Sequence, residues 1–194
     1  MDGDLIYKRV KRFNVPGHVH FITFSCFQRL PLLTNEVWRA WLAVSIRNTC
    51  DELNVALWAY VFMPEHVHLL VRPRSEEYDI SRFLYEVKKP VATRILSELR
   101  EQKAYVLKKL EVEAPNGRAH RFWQPGGGYD SNIWSWELVI KKAVYCHNNP
   151  VKRGLVKSPE QWRWSSFRWL ETGRREGEPL VVDDWNDSSS ASTS

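Results

Sequence analysis

Cysteine is scarce in this chain, and so is any long apolar run. The three cysteines, Cys26, Cys50 and Cys146, are scattered and odd in number, with no Cys-x-x-Cys spacing. Neither a disulfide framework nor a thiolate zinc site is therefore indicated. No stretch approaches the roughly 20 apolar residues that span a bilayer, so no membrane partner is expected. The start, Met1-Asp2-Gly3-Asp4-Leu5, is acidic and lacks the apolar core of a signal peptide. The chain reads as soluble and cytoplasmic. Acidic residues are outnumbered, 23 against 28 Lys and Arg, for a net charge of +5. Asp183, Asp184 and Asp187 sit near the end, so the body is more basic still. That balance favours a polyanionic partner.

What is abundant is tryptophan, with ten residues, a type that serves both as core filler and as a stacking platform for bases. The organisation suggests a single domain over residues 1–182 and a polar, Ser-rich, disordered tail over 183–194. Pro16-Gly17 is a turn signal leading into an alternating strand, His18 to Phe27. Thr34 or Asn35 caps a helix from Glu36 to about Leu53, with Val37, Trp41, Val44 and Cys50 at roughly helical spacing. Val55 to Phe62 suits a second strand, and Met63-Pro64-Glu65 links it tightly to a third, His66 to Arg72. Asp79 caps a helix through Ile80, Phe83, Leu84 and Val87, which Pro90 is expected to kink or break. Residues 103–121 look like an exposed insertion. Gln124-Pro125-Gly126-Gly127-Gly128 reads as a flexible loop. Ser135 caps a last helix that ends at Pro150. The order predicts an α+β fold: a ferredoxin-like or RNA-recognition-like antiparallel sheet with helices packed on one face, the other face being free for a site.

Two constellations carry chemistry. In Glu65-His66-Val67-His68-Leu69 the histidines are two apart on a predicted strand, so both point to one face. Two converging imidazoles can hold a divalent metal, although two polar residues on a wet strand face have the same pattern. Tyr145 and Asn149 are four apart on a predicted helix and share a face, with Lys141 and Lys142 one turn earlier. A phenol has a pKa of about 10 and attacks poorly at neutral pH. A metal beside a scissile phosphate offsets that by polarising the phosphoryl oxygens. His18-Val19-His20 repeats the spacing on the first strand. The pair after the Met-Pro-Glu turn is preferred, and His20 is expected to border the site.

These segments, with Phe122-Trp123-Gln124-Pro125, Tyr145-Cys146-His147-Asn148-Asn149-Pro150-Val151-Lys152-Arg153-Gly154-Leu155-Val156 and Trp162-Arg163-Trp164-Ser165-Ser166-Phe167, closely resemble the REP-associated tyrosine transposases. These are single-tyrosine transposases of the histidine-hydrophobic-histidine (HUH) group. The resemblance runs from about Pro16 to Leu170. It implies a nucleoid-associated nuclease and strand-transfer enzyme acting on single-stranded DNA beside a REP-like hairpin. His66 and His68 would hold Mg²⁺ or Mn²⁺, and Asn149 would turn a further polar group toward the metal. Tyr145 would attack phosphorus to leave a 5′-phosphotyrosine link and a free 3′-OH. Lys141, Lys142, Lys152, Arg153, Arg121 and Trp123 are the expected DNA contacts. Relatives of this kind act as monomers or homodimers, and both states stay open for this chain. Two features depart from the pattern, the triple glycine at 126–128 and the long 103–121 segment. The alternative is a non-catalytic single-stranded nucleic-acid-binding module, which leaves the histidine pair and Tyr145 unexplained. Tyr129, read as following a loop, is the rival nucleophile.

Overall fold

The computed structural model describes residues 13–115, 117–126, 128–173 and 177–185. In chain order the elements are β1 (Val19–Ser25), α1 (Glu36–Glu52), β2 (Val55–Phe62), β3 (His66–Pro73), α2 (Ile80–Glu101), α3 (Leu107–Leu110), β4 (Glu111–Ala114), β5 (Gly117–His120), β6 (Tyr129–Ile133), α4 (Trp136–Lys152) and α5 (Phe167–Thr172). Four strands make one antiparallel sheet in the order β2-β3-β1-β6. The α+β antiparallel fold is as expected. Asn35, Asp79 and Ser135 cap α1, α2 and α4, each side chain accepting backbone N–H bonds of the first turn.

Alternation along the strands divides the core. Ile22, Phe24, Leu57, Phe62, Val67, Leu69 and Val71 face α1 and α2. Val19, Phe21, Trp58, Val61, Leu70 and Ile133 face the other way, against Val139, Ala143 and Cys146 of α4. The second face is therefore not left free. Helices α1 and α2 share one side as anticipated, and α4 lies across the other. A bulge between Leu57 and Ala59 puts both Trp58 and Ala59 on the α4 side.

Several local expectations shift. Val37 and Val44 of α1 are exposed, while Trp38, Leu42, Ala43, Ile46 and Cys50 are buried, because that helix carries apolar residues in two phases. Helix α2 runs unbroken through Pro90, with Val87 and Val91 buried on either side of it. Packing on both sides of the proline outweighs its loss of one ladder bond. Helix α4 likewise passes Pro150 by two residues. The described residues of 103–121 form α3 and the paired strands β4 and β5, with Leu110 buried. The strand β6 lacks the apolar alternation that marks the other three, and its position beside β1 completes the sheet.

The β2 edge is covered by the C-terminal part of the chain. Phe62 N–H donates to Trp164 O at 2.8 Å, and Ser166 N–H to Tyr60 O at 3.1 Å. Asp183 was expected in a disordered tail; instead it exchanges backbone and side-chain bonds with Leu57 and pairs with Arg47 and Arg74. Trp185 follows it onto Trp58 and Trp136. The rest of that tail, 186–194, and the acidic start lie outside the described residues.

Gly128 is the glycine the fold requires. Its φ is +72°, and a Cβ there would stand 2.0 Å from the Thr23 carbonyl oxygen. Close approach of two backbones, rather than loop flexibility, explains the third glycine of the run. Gly128→Ala is expected to destabilise the protein by about 2–4 kcal/mol and to displace β6. Denaturant unfolding checks this, and a variant as stable as the parent would contradict it.

Candidate functional site

The pairing of β1 with β3 builds the site. In register, Thr23 stands opposite His68 and Ser25 opposite His66. Both histidines are buried on the α4 side, and their Nε2 atoms lie 3.0 Å apart. The remaining ring nitrogens are held. His66 Nδ1 donates to Glu65 Oε1 at 3.1 Å, and His68 Nδ1 lies 2.7 Å from Thr23 Oγ1. Phe21 stacks on the His68 ring at 5.3 Å with 16° between planes. Anchoring each Nδ1 leaves Nε2 as the converging atom of both rings.

Burial lowers the His66 pKa, against the pull of Glu65, and lowers that of His68 to about 3. For His68 the positive neighbours His66, Lys142 and Arg29 push the same way. Both rings are thus neutral near pH 7, the form that ligates metal.

Helix α4 brings the phenol. Tyr145 meets the His68 ring edge-on at 5.6 Å and Phe21 at 5.9 Å. Asn149, one turn on, is buried in the same cleft, its Nδ2 donating to the Tyr145 carbonyl at 3.4 Å. The cleft, about 580 Å³, is lined by Thr23, Arg29, both histidines, Tyr129, Lys142, Tyr145, Asn149 and Arg153 among others. Among the described residues no carboxylate lines it. Lys142 Nζ lies 4.9 Å from the Phe21 ring centre, and Lys152 Nζ 5.0 Å from that of Tyr145. Arg153 pairs at 3.0 Å with the same Glu65 oxygen that holds His66.

The structure thus brings together His66, His68, Tyr145, Asn149, Lys142, Lys152 and Arg153. Three expected contacts are elsewhere. Lys141 is exposed and does not line the cleft. Arg121 and Trp123 border a second cleft against α2, and Trp123 is itself core, edge-on to Phe24 and Phe122. His20, although on a strand adjacent to β3, faces the opposite side, 2.9 Å from both Asp130 and the Tyr78 hydroxyl. Parity along β1 decides this: Phe21 and Thr23 share the His68 face and His20 cannot. Tyr129 enters the cleft from β6 rather than from a loop, so rigidity no longer separates it from Tyr145. Ring contact with His68 does separate them, and among the described residues it belongs to Tyr145.

Sequence reasoning missed Thr23, Arg29 and Glu65 as site residues. Thr23 follows from strand parity once β1 is known to pair with β3. Arg29 has no periodic signal. It reaches the cleft because Gln28 and Arg29 both adopt left-handed backbone, with φ of 52° and 54°. Two successive non-glycine residues in that region are uncommon and occur where surrounding structure imposes them.

Residues 15–112, half of the chain, match the family model described as IS200-like transposase. The chain belongs to that family. It is therefore a DNA-processing enzyme of the transposase class. The matched span holds both site histidines and stops before β6 and α4. A solved REP-associated tyrosine transposase bound to a REP hairpin is 21% identical over 91% of this chain and 92% of its own, with a TM-score of 0.64. At that identity the likeness is one of fold. A transposase candidate from Deinococcus radiodurans R1 is 20% identical over 73% of this chain and 96% of its own, with a TM-score of 0.43. No curated protein matches. Among the described residues no helix is long and apolar enough to cross a membrane.

The lowered histidine pKa values have a consequence for stability. His68 sits at about 3 and His147, buried against Ser166, at about 4. The unfolded chain binds these protons near pH 6.5 and the native state refuses them. Stability is therefore full above pH 6.5 and falls as pH drops toward the native values, on the order of 1–2 kcal/mol per histidine by pH 5. Urea unfolding of the metal-free protein at pH 7 and pH 5, with NMR titration of the His68 ring, measures it. Flat stability, or a His68 ring charging near 6.5, would contradict it.

Proposed function

We propose that this transposase is a metal-dependent single-strand DNA endonuclease and strand-transfer enzyme acting beside REP-like hairpins, with Tyr145 as nucleophile. The observation that carries the reading is one cation-lined cleft containing His66, His68, Tyr145 and Asn149. The fold likeness to a REP-associated tyrosine transposase bound to a REP hairpin supports the choice of substrate.

The histidine pair fits a divalent ion. Two cis ligands of an octahedral ion, each about 2.1 Å from it, are about 3.0 Å apart. The Nε2 atoms have that separation. Among the described residues no cluster of three or more His, Cys, Asp or Glu side chains is placed for a metal. Further ligands would be the Asn149 amide oxygen, water and the substrate phosphate. Imidazole donors favour Mn²⁺ over the harder Mg²⁺. A bound ion supplies Lewis-acid polarisation of the scissile phosphate.

The chain's own residues do the rest. Lys142, Lys152, Arg153 and Arg29 hold the phosphates of the strand and neutralise charge that develops on the phosphoryl oxygens. Helix α4 fixes the phenol beside His68, a placement a rigid element keeps within tight limits. The Tyr145 oxygen forms a bond to phosphorus as the bond to the 3′ oxygen breaks. The phenol proton passes to solvent, the departing 3′ oxygen gains one from solvent, and the 5′-phosphate stays on Tyr145. The phosphodiester is exchanged rather than hydrolysed, so a second 3′-OH can reverse the step without ATP.

Incubation with hairpin DNA and Mn²⁺ should give a covalent adduct that survives denaturation and maps to Tyr145. Tyr145→Phe should keep binding and lose the adduct; an adduct that persists, or maps to Tyr129, rejects the assignment. A non-catalytic binding module would give no adduct at all.

Calorimetric titration with Mn²⁺ tests the ion directly. His66→Ala or His68→Ala should abolish its binding. Thr23→Val, which leaves both ligands but frees the His68 ring, should weaken it about 10- to 100-fold. Binding unchanged in all three variants would reject the site.

A further inference from the structure

A second cleft, about 650 Å³, lies between α2 and residues 120–126. Its walls carry Tyr85, Lys88, Lys89, Arg121, Trp123 and Gln124. Like the histidine cleft, it is lined by no Asp or Glu among the described residues, whereas the neighbouring clefts along α1 and α2 include Glu52, Glu86, Glu77 and Asp79. Tyr85 is 53% exposed despite its size, with the Lys89 ammonium 4.8 Å from its ring centre and donating to its hydroxyl. The two walls are tied together by the Trp123 indole, whose N–H donates to the Lys88 carbonyl at 2.9 Å.

The second cleft is also coupled to the first. Gln124 N–H donates to Ser25 O at 2.9 Å, and Gln124 Oε1 accepts from Gln28 N–H at 3.0 Å. The next residue, Arg29, is the left-handed one that lines the histidine cleft. Gly126 borders the second cleft and Tyr129 the first. Two residues of chain lie between them, three steps with a reach of at most about 11 Å.

We infer that this cleft is a nucleotide-binding site for an unpaired nucleotide of the same DNA strand whose scissile phosphate lies at Tyr145; the inference rests on the proposed function. An exposed aromatic ring flanked by cations is the chemistry of single-strand recognition. Bases stack on the ring and phosphates meet the cations. The volume suits a group of nucleotide size and is too small for a duplex. A nucleotide seated on Tyr85 sets the register of the strand that enters the histidine cleft. The Gln124–Gln28 bond transmits that register to Arg29.

The test compares two oligonucleotides, a hairpin with short single-stranded extensions and the same hairpin without them, by fluorescence anisotropy. For the extended hairpin Tyr85→Ala should raise Kd roughly five- to 100-fold, and Tyr85→Phe, which keeps the stacking face, by no more than about twofold. Arg121→Ala should lower the salt slope of binding by about one. The bare hairpin should bind equally to all of them. Tyr85→Ala binding the extended hairpin like the parent, or losing both oligonucleotides equally, overturns the inference. A parent protein that forms no Tyr145 adduct but shows Tyr85-dependent binding rejects the transesterification and leaves the cleft standing. One that binds neither oligonucleotide rejects both.

Discussion

The antiparallel register of β1 on β3 is the constraint on which the site depends. It sets Thr23 against His68, so that a hydroxyl fixes one ring, and it puts Phe21 flat on that ring. A slip of one residue would turn His20 toward α4 and bury the Phe21 ring where His20 now meets Asp130 and Tyr78. The register holds because both faces of the pair are buried. Val67, Leu69 and Val71 serve one core, and Leu70 with Phe21 serves the other.

Burying two imidazoles against apolar rings is unfavourable for their charged forms, and the surroundings answer by keeping them neutral and bonded. Glu65 is the economical element. One carboxylate oxygen holds His66 Nδ1 and Arg153, joining the turn before β3 to the residue that caps the end of α4. The helix bearing Tyr145 and the strand bearing the histidines are therefore connected by apolar packing at Val139, Ala143 and Cys146 and by one ion pair, buried at Glu65 and half-exposed at Arg153.

The sheet edges show how the remainder of the chain supports this arrangement. Backbone groups of β2 that would stand open are taken by Trp164, Ser166 and Asp183. An open edge of that apolar character invites pairing with another chain. The Asp183 carboxyl illustrates the balance. Burial pushes its pKa up, and the Leu57 amide with Arg47 and Arg74 more than offsets that, holding it below the usual carboxylate range. Closing the edge also carries Trp185 onto Trp136, at the start of the helix that bears Tyr145.

The sequence by itself determined the elements whose signals are local. Capping residues, the Met-Pro-Glu link, the pairing of His66 with His68 by strand parity and of Tyr145 with Asn149 by helical spacing all depend on neighbours a few residues apart. Only the tertiary structure decided what depends on long-range partners. The polar strand β6 exists because β1 offers it an edge, and α2 passes Pro90 because α1 buries both sides of it. Helix α4 covers the second face because Val139, Ala143 and Cys146 find Leu70 and Phe21 there. Trp123 is core rather than platform because Phe24 lies beneath it, and His20 is excluded by a parity that becomes meaningful only once β1 has a partner. Arg29 enters the cleft through two left-handed residues that no periodic pattern announces. Spacing along a chain fixes which side chains share a face, but which faces meet is settled by the burial of surfaces distant in sequence.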